Sequence, residues 1–359
     1  MFSRKQTRSL KVGSLPVGGG APVSVQTMCN ADPHDAVACR AQLESCAVRG
    51  CDVFRMAVPD VEAAHVLGVV RKDSPIPIVA DIHFDYECAL AALAAGADAL
   101  RLNPGNIGAR ERVQAVARAA KERGAPIRIG VNLGSLERDL GAELDAGKDD
   151  VPGVLVRSAV RHLKMLEDEG LGDVVISAKA SNVSDTIAVY RRLAEATDCP
   201  LHIGVTEAGT LIPGTVRSSV ALGVLLSDGI GDTIRVSLTS KPEKEVKVGL
   251  EILRSLGLRE RGPAVTSCPT CGRTRVDLMR ITSQVEDALD TLWSDSRKAL
   301  PKVAIMGCAV NGPGEAKDAD VALCGGDGKF LLYVHGAFVE KVAEEDAVRK
   351  VLEYVVSMQ

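Results

Sequence analysis

Residues 77–103 read PIVADIHFDYECALAALAAGADALRLN. The stretch opens on a short apolar, β-rich run, Pro77–Ile82. From Tyr86 to Ala95 the apolar residues recur at the three-to-four spacing of a helix, and Gly96 follows as a stop. A second β-rich run, Ala99–Asn103, comes directly after. Strand, helix and strand thus follow one another with little between them.

The same alternation extends in both directions. The β-rich runs are Val23–Met28, Val53–Val58, Pro77–Ile82, Ala99–Asn103, Ile127–Asn132, Val174–Lys179, Leu201–Thr206 and Thr233–Leu238. Helical-period segments follow them at Asp35–Arg49, Val61–Lys72, Tyr86–Ala95, Ala109–Arg123, Val154–Glu169, Ser184–Ala196, Val216–Leu226 and Glu243–Leu256. Eight strand-then-helix units over roughly 240 residues predict an α/β fold of the (β/α)8, TIM-type barrel class. A doubly wound open sheet is the rival. The strand count and the lack of a Gly-x-Gly-x-x-Gly turn after the first strand argue against it.

The barrel is assigned residues 1–257. Its leader carries a strand-like piece, Ser9–Gly13, and a Gly-Gly-Gly turn at 18–20, expected to make a hairpin across the barrel bottom. Residues 258–264, LRERGPA, read as a linker, and 265–359 as a small α+β domain. In that domain a strand leads to Cys268, a helix covers Val276–Leu289 and a strand covers Lys302–Met306. A hairpin is expected within 320–334 and a last helix over Ala343–Val356. Gly325-Gly326-Asp327-Gly328 is a hairpin turn signal rather than a nucleotide loop.

Barrels of this kind place their active sites at the C-terminal ends of the strands. There the sequence offers Arg55, then Asp81-Ile82-His83, then Arg101-Leu102-Asn103, then Arg128 and Asn132. Lys179, Thr206-Glu207, Arg235 and Ser237 follow on the last three strands. Charged residues in parallel strands are costly unless they face a polar mouth and find partners. Any one arginine reads equally well as half of a structural ion pair. Four arginines and a lysine on five strands, with Asp81 and Glu207 as visible counter-charges, point instead to a net positive mouth. Guanidinium forks match phosphate oxygens, so a diphosphate or a bis-phosphorylated small molecule is expected, and a polycarboxylate also fits. His83 reads either as an acid, base or phosphate donor or as a hydrogen-bonded structural histidine. His202, early in its strand, reads as core.

The small domain carries Ser267-Cys268-Pro269-Thr270-Cys271-Gly272-Arg273 and Met306-Gly307-Cys308-Ala309-Val310-Asn311-Gly312-Pro313-Gly314-Glu315. Gly and Pro fix tight turns, so thiolates and backbone N–H groups can converge on one centre. Three readings stay open from spacing alone. Three thiols with Glu315 as an oxygen ligand suit a cubane iron–sulfur cluster with one distinct iron. A structural zinc would need a fourth ligand near Cys308, and only Cys324 and His335 follow it. A redox pair would want a thioredoxin-like setting, which the surrounding pattern lacks. Glu315 also reads as a solvated loop acid.

Composition bounds the alternatives. The 359 residues are 46% hydrophobic and 25% charged, a globular balance with ample core. Aromatics at 3% leave little for stacking on single-stranded nucleic acid, and a net charge of −4 gives no bulk attraction to nucleic acid or anionic membranes. The other cysteines, Cys29, Cys39, Cys46, Cys51, Cys88 and Cys199, are scattered, so most are expected as reduced core residues. No signal peptide or membrane span is visible, which makes the cytoplasm the default location.

The two cysteine motifs, about 35 residues apart, closely resemble those of the 4-hydroxy-3-methylbut-2-en-1-yl diphosphate synthase family. That family belongs to the methylerythritol phosphate route to isoprenoids. Val-Gln-Thr-Met at 25–28, Phe-Arg-Met-Ala-Val-Pro at 54–59, Ala-Asp-Ile-His-Phe at 80–84 and Arg-Leu-Asn-Pro-Gly-Asn at 101–106 match it as well. So do Arg-Ile-Gly-Val-Asn at 128–132, Val-Thr-Glu-Ala-Gly at 205–209 and Gly-Asp-Thr-Ile-Arg-Val-Ser-Leu at 231–238. The resemblance covers nearly the whole chain, in the compact two-domain bacterial form. A small departure is Cys29, where the family usually carries Thr.

The resemblance implies a reaction. Two electrons and protons open the ring of 2-C-methyl-D-erythritol 2,4-cyclodiphosphate and remove its C3 hydroxyl as water, leaving an allylic diphosphate. It implies a [4Fe–4S] cluster on Cys268, Cys271, Cys308 and Glu315. It implies diphosphate contacts from Arg55, Arg101, Arg128, Asn132, Lys179, Arg235 and Ser237, with His83 beside them, and a proton donor in Glu207. With no nucleotide motif, electrons are expected from ferredoxin or flavodoxin. The rivals are a phosphosugar-type aldolase or synthase barrel with a structural zinc domain, and a non-enzymatic zinc module.

A homodimer is also expected. The linker spans at most roughly 25 Å when extended, and the last barrel helix returns the chain to the bottom face. Each cluster domain would therefore cap the mouth of its partner's barrel.

Overall fold

The computed structural model describes residues 3–259, 264–296, 300–310 and 312–359, with the backbone alone for Ser294, Asp295, Ser296 and Glu315. The chain divides into two compact units, Met1–Arg259 and Glu260–Gln359. Residues 260–263 of the expected linker lie outside the described residues.

The first unit begins with an antiparallel hairpin of β1 (Leu10–Val12) and β2 (Leu15–Val17). The alternation then runs β3 (Ser24–Met28), α1 (Ala36–Val48), β4 (Val53–Ala57), α2 (Val61–Lys72), β5 (Ile78–Asp81), α3 (Tyr86–Ala94) and β6 (Ala99–Leu102). Next come α4 (Pro104–Ile107), α5 (Arg110–Arg123), β7 (Ile127–Asn132), α6 (Arg138–Asp145), α7 (Val151–Asp168), β8 (Val174–Lys179) and α8 (Val183–Ala196). The unit closes with β9 (His202–Ile203), α9 (Leu211–Ser227), β10 (Thr233–Ile234) and α10 (Pro242–Ser255).

All eight strands from β3 to β10 form one parallel sheet in the order β8-β7-β6-β5-β4-β3-β10-β9. A parallel bridge between Ile176 and Leu201 joins its two ends and closes the barrel. The helices start where short polar side chains accept the orphan N–H groups of the first turn. Asp60 accepts from Ala63 N, Asp85 from Glu87 N, Asp150 from Gly153 N and Asn182 from Asp185 N.

Two expected strands are much shorter than their apolar runs, because β9 ends at Ile203 and β10 at Ile234. Just beyond them the two backbones approach closely, and one more backbone bond, Arg235 N to Ile203 O at 3.1 Å, follows. A Cβ on Gly204 would lie 2.4 Å from the Arg235 carbonyl oxygen, so only glycine fits. Helices α7 and α9 start three and five residues earlier than their apolar periodicity suggested. Pro152 and Pro213 sit in their first turns, where a missing N–H costs nothing. The short helices α4 and α6 have no counterpart in the strand-then-helix pattern.

The hairpin sits where it was expected. Leu10, Val12 and Val17 pack with Val53, Val79, Ala99 and Val175, at or near the N-terminal ends of their strands. Burial there plugs the barrel bottom and leaves the opposite end as the working face.

The second unit is a five-stranded mixed sheet in the order β11 (Ala264–Ser267), β12 (Lys302–Met306), β13 (Val321–Gly325), β14 (Lys329–Val334) and β15 (Ala337–Ala343). Helices α11 (Leu278–Ser296) and α13 (Ala347–Ser357) pack on it, and a short α12 covers Gly312–Glu315. The first three strands are parallel and the last two antiparallel. The reading of the sequence missed β15 and extended the last helix into it. The signal was the turn at His335-Gly336, where both residues have positive φ (47° and 77°). Two such residues make a tight hairpin. Among the described residues no helix is long and apolar enough to cross a membrane.

Candidate active site

Asp81 is the hub of the barrel mouth. It ends β5, is fully buried, and faces two guanidinium groups and an imidazole. Arg55 Nη2 lies 3.3 Å from one carboxylate oxygen and Arg101 Nη1 lies 3.2 Å from the other. His83 Nε2 is 3.4 Å away. Burial opposes ionisation of this carboxyl, but Arg55, Arg101, His83 and Arg128 outweigh it and hold its pKa below the ordinary range. Arg101 also donates to the Gly130 carbonyl at 3.2 Å. A Cβ on Gly130 would lie 2.2 Å from Arg101 Nε, so the glycine lets the guanidinium lie flat across β7.

A second carboxylate holds the other side. Glu245, buried on α10, receives Arg235 Nε at 3.3 Å and Nη2 at 3.4 Å. It also accepts from Thr27 Oγ1 at 2.7 Å and from Leu238 N at 2.9 Å. The reading of the sequence missed Glu245 and took Glu207 as the counter-charge. A signal was present: Glu245 falls in the buried stripe Pro242, Glu245, Val246, Gly249, Leu250 and Leu253, where an acid needs a partner. Glu207 is exposed and, among the described residues, makes no ion pair. Its φ of 52° puts it in the left-handed region, a strained setting for a non-glycine residue that functional sites often hold.

The remaining cations are less well matched. Arg128 is buried and donates one Nη to Gln26 Oε1, while its Nε and other Nη have no partner among the described residues. Desolvation and the neighbouring arginines push its pKa well down. Arg55 is displaced the same way, to about 10. Lys179 ends β8 beside Asn132 of β7. Ser237 is half-buried two residues after Arg235. Five cationic side chains thus share two carboxylates, an excess of three positive charges if all are protonated. His202 is core, as expected, with Nδ1 3.3 Å from Thr233 Oγ1.

The thiol motifs meet in the second unit. Parallel pairing of Ser267 with Ile305 brings Cys268 and Cys308 out at the same edge of adjacent strands. Gly307 N donates to Cys268 Sγ at 3.2 Å. A Cβ on Gly307 would lie 2.7 Å from Thr274 Oγ1, so the two loops interleave only because that residue is glycine. Cys271 is exposed, and the N–H and side chain of Arg273 hold its thiol below the ordinary range. None of the ten cysteines is in a disulfide.

Among the described residues no three His, Cys, Asp or Glu side chains stand close enough to ligate a metal. The Glu315 side chain lies outside the described residues, and its backbone closes α12. Cys324 does not stand apart from the motif, as its strand-like setting suggested. It pairs with Met306 across β12 and β13 and belongs to the buried cluster that Cys268 packs against. It is fully buried, however, while Cys268 and Cys308 are half-buried.

Comparison with known proteins covers both units. Residues 7–250 match the GcpE TIM-barrel domain and residues 264–357 the GcpE protein C-terminal domain. A protein of Geobacter sulfurreducens named 4-hydroxy-3-methylbut-2-en-1-yl diphosphate synthase (flavodoxin) is 52% identical over 343 residues, 96% of this chain and 95% of its own. Its namesake in Clostridium acetobutylicum is 49% identical over 357 residues, 99% of this chain and 100% of its own. Among solved structures, a Xanthomonas albilineans dihydropteroate synthase superposes with a TM-score of 0.50 at 16% identity, covering 70% of this chain and 99% of its own. Plasmodium falciparum HPPK-DHPS gives 0.51 at 13% identity, over 70% of this chain and 50% of its own. These two structures bear on the fold alone.

Proposed function

The chain belongs to the GcpE family, and on that premise we propose that it catalyses the reductive ring opening and dehydration of 2-C-methyl-D-erythritol 2,4-cyclodiphosphate to 4-hydroxy-3-methylbut-2-en-1-yl diphosphate. The observation that carries this reading is the surplus of guanidinium and ammonium groups at the barrel mouth. Arg55, Arg101, Arg128, Lys179 and Arg235 bind the diphosphate, with Asn132, Ser237 and His83 completing its contacts. Asp81 and Glu245 hold three of those arginines in place without neutralising the set. Ring opening turns a bridging ester oxygen into a terminal phosphoryl oxygen. Negative charge therefore grows where the cations stand, so they favour the opened state over the closed one.

Cys268, Cys271, Cys308 and Glu315 would hold a [4Fe–4S] cluster. Two thiols leaving one sheet edge, one with an N–H bond to sulfur, fit such a group. When bound, the cluster supplies the two electrons of the reduction, received from flavodoxin in a cytoplasmic setting. Glu207 supplies a proton to the departing hydroxyl. The zinc-domain aldolase reading gains no support from the relatives.

The deciding experiment is anaerobic purification with iron and acid-labile sulfide analysis, followed by turnover of the cyclic diphosphate with reduced flavodoxin. Brown protein with near-stoichiometric iron and sulfide, and consumption of substrate, is expected. Colourless, zinc-loaded protein that leaves the substrate unchanged would refute the reading.

The same proposal includes a homodimer in which each cluster unit caps its partner's barrel. The support is the direction of α10, which returns the chain toward the plugged end just before the second unit begins. Mixing Glu207→Ala with Cys308→Ser subunits should restore activity in heterodimers, because one site then has both parts intact. Verified heterodimers without activity, or an active monomer, would refute capping in trans.

A further inference from the structure

Among the described residues, neither Lys179 nor Arg128 has a carboxylate partner at the mouth. The neighbour of Lys179 on one side is Asn132 of β7. On the other is Gly204, where an added Cβ would lie 3.0 Å from Nζ. Arg128 of β7, Arg55 of β4 and Arg235 after β10 face it with like charge. Asp81 is engaged by Arg55, Arg101 and His83. Glu245 of α10 is engaged by Arg235, Thr27 and Leu238. Among the described residues, Lys179 makes no ion pair or hydrogen bond. An arginine in such a cluster keeps its proton, whereas a lysine can release it.

We propose that Lys179 stands neutral in the ligand-free protein and takes up a proton from solvent when a dianion fills the mouth, so that anion binding and protonation of Lys179 are one linked event. Burial and repulsion from Arg235, Arg55 and Arg128 push its ammonium well below the ordinary range, in agreement. A phosphoryl dianion reverses both effects, since it offers acceptors to Nζ and offsets the guanidinium charge. The sign follows: the complex binds one more proton than the separated partners. Affinity therefore falls as pH rises between the lysine's lowered value in the free protein and its restored value in the complex, by at most about tenfold per pH unit. The device makes the site selective for dense negative charge, because a weaker anion does not drive the protonation.

Two imidazoles could also accept the proton: His83, beside Asp81 at the mouth, and His202. His202 is buried beside the same basic groups, with Nε2 lacking a partner among the described residues, and it is held neutral. The experiment separates the lysine from both.

This inference rests on the diphosphate-binding reading, so two anions are used. The cyclic diphosphate carries one strongly acidic oxygen on each phosphorus and exchanges no proton near neutrality. Sulfate shares that property and needs no recognition of the carbon skeleton. Cluster-loaded protein without reductant is titrated with each anion in buffers of different ionisation enthalpy, from about pH 7 to about pH 9. Wild type is expected to take up about one proton per anion bound, and Lys179→Met close to none while still binding more weakly. Equal uptake in wild type and Lys179→Met with either anion, or no uptake in wild type, overturns the proposal. If the cyclic diphosphate fails to bind while sulfate shows the lysine-dependent uptake, the substrate reading falls and the proton linkage stands.

Discussion

Replacing any one of Cys268, Cys271 or Cys308 with serine is expected to strip the protein of iron and sulfide and to drop reduction of the cyclic diphosphate to background. A serine hydroxyl is a hard, weakly acidic donor that does not replace a thiolate on iron. Two of these cysteines leave one edge of the β11–β12 pair, and the third is exposed in the loop between Cys268 and Thr274. Cys324→Ser is expected to keep both iron and activity. The structure makes this control sharper than the sequence did, because Cys268 packs against the same buried cluster that contains Cys324. Its exclusion rests on complete burial in β13 rather than on distance. Iron and sulfide per chain, with circular dichroism to verify folding, decide the matter. Loss of iron from Cys324→Ser with retention in Cys308→Ser would show the ligand set to be wrong.

Arg101→Ala and Arg235→Ala should each weaken binding of the cyclic diphosphate steeply and leave the iron content unchanged. Removing one partner of a desolvated charge pair costs on the order of 2–5 kcal/mol, or about 30-fold to a few thousandfold. The two variants should differ in stability. Asp81 keeps Arg55 when Arg101 is lost. Glu245 loses its arginine when Arg235 is lost and retains only Thr27 and the Leu238 N–H as partners among the described residues. A buried carboxylate with less compensation lowers stability, so Arg235→Ala should melt earlier than Arg101→Ala. Titration calorimetry and thermal melts test both statements. Wild-type affinity in either variant would remove that arginine from the diphosphate site.

Much of the architecture was legible before any coordinates. Strand and helix periods are local properties, and each barrel strand shares residues with an apolar run read from the sequence. The exceptions were local conflicts. Pro152 and Pro213 look like helix breakers until the first turn is seen to include them. The close approach of Gly204 after β9 to Arg235 after β10 is a contact between segments distant in sequence.

The site divides along the same line. Sequence alone picked out Arg55, Arg101, Arg128, Lys179 and Arg235 as charged residues on barrel strands, which are costly there without a polar face, but Arg55 lies in the middle of β4 and Arg128 is the second residue of β7. It also brought forward the three cysteines, through motifs whose turns are written in Gly and Pro. Only the tertiary structure decided which carboxylate meets which cation. Asp81 gathers Arg55 from β4, Arg101 from β6 and His83 from the loop after its own strand. Glu245, on α10, binds Thr27 of β3, 218 positions away. Charge pairing acts through space over a few ångströms, and barrel closure sets those distances. No periodicity along the chain encodes them.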